Sequence, residues 1–139
     1  MDKYLTPKGF LQLGGVILLV LGIAGFALGW IFPQGKFLAA LGVGDALYLD
    51  QFENIAHTLL GIVALAAAYV LPADLQKWLV ALVGAFGIFV TIVGFLAAGN
   101  PAPNLSVTNL EILDDLIHLV VGAWGLYAAF GNRPAMQTA

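Results

Sequence analysis

The chain has 139 residues, of which 61% are hydrophobic and 9% charged, with a mean hydropathy of +0.97. Soluble domains are roughly 45–50% apolar and about 25% charged, so a soluble globular fold and a disordered chain are both excluded. A net charge of −3 leaves no broad basic surface for a phosphate backbone, which excludes nucleic acid as a partner. The absence of cysteine removes disulfides, thiolate catalysis, iron–sulfur clusters and haem attachment through Cys-x-x-Cys-His.

The few charges are unevenly spread. No Asp, Glu, Lys or Arg lies between Lys8 and Lys36, between Glu53 and Asp74, between Lys77 and Glu111, or between Asp115 and Arg133. Charge-free stretches of this length need a hydrocarbon solvent, because a helix takes about 20 apolar residues to cross a bilayer. The first run, Gly9 to Phe32, also outlasts a signal-peptide core of about 7–15 residues, and no small-x-small cleavage site follows it. A cleaved signal is therefore not expected.

In chain order, the first helix is predicted from about Thr6 to Phe32, with Pro7 in its opening turn, where a missing N–H costs nothing. Pro33-Gln34-Gly35 stops it. The second begins at Asp50, with Glu53 completing a capping box, and ends at Leu71, because the residue before Pro72 is pushed out of helical geometry. Asp74 is expected to cap a third helix over about Leu75 to Ala98. Thr108-Asn109-Leu110-Glu111 reads as the capping box of a fourth, running to about Phe130 before Gly131. Between the spans, residues 36–49 are too apolar for a free loop and too short to cross, and read as an interfacial segment or a cover over the bundle. Residues 99–107 read as a proline-stiffened connection. The expected fold is all-α: one polytopic membrane domain, residues 1–139, with four transmembrane helices in a bundle.

Orientation follows from lysine and arginine. Lys3, Lys8, Lys77 and Arg133 collect on one side and Lys36 alone on the other, which places both termini in the cytoplasm of a plasma-membrane protein. Asp45, Asp50, Glu53, Glu111, Asp114 and Asp115 then face or approach the outer surface.

The second and fourth helices echo each other. A shift of 61 positions takes Asp50 to Glu111, Glu53 to Asp114, Asn54 to Asp115, His57 to His118, Gly61 to Gly122, Ala64 to Gly125, Leu65 to Leu126, Ala68 to Ala129 and Tyr69 to Phe130. A shift of 69 relates the first and third through Gly15/Gly84, Gly25/Gly94 and Phe26/Phe95. The chain therefore reads as a duplicated helical hairpin, residues 1–71 and 74–130. Its implied pseudo-twofold axis runs along the membrane normal.

The only two histidines, His57 and His118, fall in the same slot of the two halves. Each follows a carboxylate by four residues (Glu53, Asp114) and precedes a glycine by four (Gly61, Gly122), so acid, imidazole and glycine share one helix face. Small residues continue each stripe, through Ala64 and Ala68 in one helix and Gly125 and Ala129 in the other, as in membrane-helix packing seams. If the two seams face each other, the histidines meet near the outer surface.

Four readings suit the pair. Each imidazole is oriented by its carboxylate or a backbone group and fixes helix register. Alternatively, His57, His118, Glu53 and Asp114 bind a zinc-like metal ion. Or His57 and His118 ligate a haem or chlorophyll-type ring, with Gly61 and Gly122 leaving room for a flat macrocycle. The last is proton relay or pH sensing. Gly25-x-x-x-Gly29, Gly14-Gly15 and Gly94-x-x-x-Ala98 are further seams, and Tyr4, Trp30, Tyr48 and Trp78 fall at span ends as interface anchors. Trp124, two turns inside its helix, is expected on a lipid- or partner-facing surface. No nucleophile stands beside a base, so an enzyme is not expected.

At Asn54, His57 and Gly61, and again at Asp115, His118 and Gly122, the sequence resembles a family of small four-helix bacterial membrane proteins. That family is catalogued as a domain of unknown function, with an Asn-x-x-His-x-x-x-Gly pattern in its second helix and an echo in its fourth. The resemblance implies the fold and no activity. The expected role is that of an accessory or scaffold subunit, or a homo-oligomer, meeting the bilayer and other membrane subunits. The alternatives are a cofactor protein and a small transporter or proton-conducting element.

Overall fold

A computed structural model describes residues 2–31, 50–98, 100 and 112–131. A 3-10 turn, Asp2–Leu5, leads into α1 (Pro7–Ile31), followed by α2 (Gln51–Val70), α3 (Ala73–Ala97) and α4 (Ile112–Phe130). There is no strand among the described residues, and all four helices are long and apolar enough to cross a membrane. The interfacial segment 36–49, the connection 99–107 apart from Asn100, the Thr108–Glu111 capping box and Arg133 lie outside the described residues.

Local chemistry sets the helix ends. The Thr6 hydroxyl accepts from Gly9 N–H at 3.1 Å and donates to Lys3 O at 2.7 Å, so one side chain ends the 3-10 turn and starts α1. Asp50 and Glu53 form the reciprocal box expected of them: Glu53 N–H donates to Asp50 Oδ1 at 2.9 Å, and Asp50 N–H donates to Glu53 Oε2 at 3.0 Å. The third helix starts earlier than the sequence indicated. Its N-cap is Pro72, without a side-chain cap, and Asp74 sits in the first turn instead of capping it. The turn is stitched by Gln76, a buried side chain whose amide nitrogen reaches the carbonyl oxygens of Leu71 at 2.9 Å and Ala68 at 3.1 Å. Those carbonyls end α2, where the helix itself offers no partner.

The helices pack as two hairpins. α1 lies along α2 and α3 along α4 over their full seams, while the hairpins meet mainly through α1 against α3 and α4. Each seam closes on glycine. A β-carbon at Gly61 would lie 2.6 Å from Leu19 N and 2.9 Å from Gly15 O; one at Gly122 would lie 2.9 Å from both Ile88 N and Gly84 O. The shifts of 69 and 61 residues carry the first set of contacts onto the second. The arrangement in which the Gly61 and Gly122 stripes face each other is not the one found: each is buried against the other helix of its own hairpin, where Gly15 and Gly84 let the backbones approach closely.

Between the hairpins, a small apolar core of Phe10, Leu11, Ala67, Ala68, Val80, Ala81, Ala128 and Ala129 gathers at the lysine-bearing end. Trp124 is half-buried and packs against this core. Its ring lies 4.5 Å from Phe10, centroid to centroid, and its indole N–H donates to Tyr4 O at 2.9 Å.

Two outcomes test this packing. Gly61→Ala and Gly122→Ala should each destabilise the fold by about 1–3 kcal/mol through overpacking. Gly14→Ala and Gly29→Ala, where a β-carbon meets nothing within 4 Å, should be neutral or stabilising by up to about 1 kcal/mol. Thermal unfolding in mild detergent measures both. Gln76→Leu, which strands the last carbonyls of α2, should cost about 1–3 kcal/mol in the same assay.

Candidate functional site

Apart from Gln76, the buried polar side chains of the described spans collect in the half of the bundle away from the lysines. On α2, Asp50 fixes the helix start, which puts Asn54 one turn and His57 two turns inside. Asn54 is buried, and its amide lies flat on Gly25 of α1, where any β-carbon would collide with it. The Thr58 hydroxyl donates to Asn54 O at 2.8 Å and fills the space at Gly22.

The second hairpin repeats this arrangement with one exchange. Asp115, with no exposed surface at all, lies against Gly94 of α3 as Asn54 lies against Gly25. Here the hydroxyl comes from the opposite helix: Thr91 Oγ1 is 3.0 Å from both Gly87 O and Asp115 O. Either way a hydroxyl donates to the carbonyl of the buried Asn or Asp. The side-chain carbonyl of Asn54 and both carboxyl oxygens of Asp115 find no hydrogen-bond partner among the described residues. Inside a bilayer such groups are costly, on the order of several kcal/mol each.

The histidines stand beside this layer, half-buried. His118 Nδ1 lies 2.9 Å from Asp114 O and 3.4 Å from Asp114 Oδ1. A bond to a backbone carbonyl requires the proton on Nδ1. His57 Nδ1 is buried, with no hydrogen-bond partner among the described residues. Their glycine stripes face different helices, Gly61 against α1 and Gly122 against α3.

The four residues proposed from sequence as metal ligands are divided between tasks. Glu53 serves the start of α2 through Asp50, and Asp114 adjoins His118. Among the described residues no group of three or more His, Asp or Glu is placed to hold a metal ion. The room at Gly61 and Gly122 is taken by Leu19 with Gly15 and by Ile88 with Gly84. Sequence reasoning centred on the histidines and underrated Asn54 and Asp115, the most deeply buried polar pair in the two matched helices. The signal was available: both fall at the matched slot of the 61-residue shift, opposite Gly25 and Gly94 of the 69-residue shift.

No curated protein and no solved structure matches the chain at a significant level. Residues 9–135 match the family described as Domain of unknown function (DUF4383), a span that takes in nearly all of α1 and the whole of α2, α3 and α4. The chain belongs to that family.

Proposed function

We propose that this is a non-enzymatic integral membrane protein built from a duplicated hairpin, which works by packing as an accessory or scaffold subunit of a membrane assembly or as a homo-oligomer. In this reading the lysine-bearing end and both termini face the cytoplasm, across the plasma membrane. The observation that carries it is the incompleteness of the bundle. α2 packs extensively against α1 alone, and α4 chiefly against α3. Only 22% to 33% of each apolar span is buried within the chain. Along α2, Ile55, Leu59 and Ile62 form an exposed aliphatic stripe at helical spacing. The glycine seams are consumed inside the hairpins, so assembly uses such large-residue faces.

A second reading rests on the histidines. The buried His57 Nδ1, without a hydrogen-bond partner among the described residues, and the half-buried imidazole of His118 support ligation of a haem, a chlorophyll-type pigment or a metal ion. The apolar core at the lysine end weighs against the third, a small transporter or proton-conducting element using the same histidines with Glu53 and Asp114. Among the described residues the one buried polar side chain at that end is Gln76, and its amide nitrogen is engaged by the last carbonyls of α2.

Extraction from native membranes in mild detergent should give a particle larger than one 14.6 kDa chain, by light scattering corrected for detergent. Ile62→Trp should lower the assembled fraction several-fold; a lone monomer without copurifying subunits overturns the scaffold reading. The same material, examined by absorption spectroscopy and elemental analysis, decides the second reading. That reading expects a Soret or chlorophyll band, or stoichiometric metal, that is lost in His57→Ala/His118→Ala; a colourless, metal-free protein from the native host overturns it.

A further inference from the structure

The lysine-bearing end carries a feature that the packing of the bundle does not require. The Lys8 ammonium, at the start of α1, stands 5.9 Å from the ring centroid of Tyr69, at the end of α2. The Lys77 ammonium, at the start of α3, stands 5.3 Å from the ring centroid of Phe130, at the end of α4. The shifts that superpose the glycine seams superpose these pairs as well, since 69 residues take Lys8 to Lys77 and 61 take Tyr69 to Phe130. Trp78 adds a second ring 6.0 Å from Lys77.

Each ammonium has three N–H donors. Among the described residues neither lysine meets a carboxylate at ion-pair distance, although Asp2 and Asp74 lie at the same end. The rings are exposed: Tyr69 by 71%, Trp78 by 63% and Phe130 by 44%. Aromatic rings at a span end sit at headgroup depth. A cation held over such a ring stays at that depth instead of extending into water. Each hairpin thus offers a positive charge with no carboxylate partner among the described residues, an aromatic wall and, deeper on the same helix face, an exposed aliphatic side chain, Ile62 two turns from Tyr69 and Leu82 one turn from Trp78. An anionic phosphate accepts from the ammonium, while acyl chains lie along the flank. A zwitterionic lipid brings its own cation and gains less.

We infer that the protein binds two anionic phospholipids, one per hairpin, with their headgroup phosphates on Lys8 beside Tyr69 and on Lys77 beside Phe130 and Trp78. The test is native mass spectrometry of the purified chain titrated with phosphatidylglycerol, with phosphatidylcholine and with inorganic phosphate. Two phosphatidylglycerol molecules should be retained in preference to phosphatidylcholine, with no competition from inorganic phosphate. Lys8→Ala and Lys77→Ala should each weaken one site by about fivefold, the double variant should lose both, and Lys8→Arg and Lys77→Arg should keep them. Thermal unfolding confirms that each variant is folded. Equal retention of phosphatidylcholine, displacement by inorganic phosphate, or two tightly held lipids in a folded double variant overturns the inference.

Discussion

The structure depends on close approach of backbones at two glycine crossings, Gly15 with Gly61 and Gly84 with Gly122. Lipid offers no hydrophobic drive for helices to associate, since its tails are as apolar as leucine. Association must come from dispersion contact at short range, and that requires surfaces without side chains between them. At both crossings the missing β-carbon lets one helix rest on the carbonyl oxygen and amide nitrogen of the next. The two hairpins are consequently firm units, joined to each other by a much smaller patch of aromatic, alanine and valine side chains.

That division of labour also positions the polar layer. Once the crossings fix the register of each hairpin, Asn54 arrives opposite Gly25 and Asp115 opposite Gly94, and each side chain lies in the gap its glycine leaves. The threonine hydroxyl that serves the adjacent carbonyl is supplied from α2 in one hairpin and from α3 in the other, by Thr58 and Thr91. The same hydrogen bond is made by different residues, so the geometry is more closely shared than the sequence. His57 and His118 each stand one turn deeper than a member of this layer, on the same helices as Asn54 and Asp115.

What was legible in the sequence was local. The Asp50–Glu53 box, the stop at Leu71 before Pro72 and the start of α1 after Thr6 depend on residues within a turn of each other, and each is where the pattern placed it. Four apolar spans followed from composition alone. The misjudged features depend on distant partners. Asp74 looked like a cap because its chemistry suits one, but the tight turn at Pro72 starts the helix before it. Trp124 looked exposed because its partners, Phe10 and Tyr4, lie more than a hundred residues away. The stripe containing Gly61 and His57 showed that some helix approaches, not which one; the matching glycine at Gly15 of α1 decided that. Asn54 and Asp115 were visible as a matched pair, yet their depth depended on the glycines opposite.

The bond from the Trp124 indole to the Tyr4 carbonyl spans 120 positions and ties the first element of the chain to the last. During synthesis it cannot exist until the fourth helix has entered the membrane. Each hairpin can close its own glycine crossing as soon as its second helix arrives, so the first is complete while the second is still being made. The N-terminal turn must therefore wait, its carbonyl served by water or headgroups, until the final span delivers its partner. The clasp cannot form before α4 is in place, and it records the arrival of that helix beside the N-terminal turn.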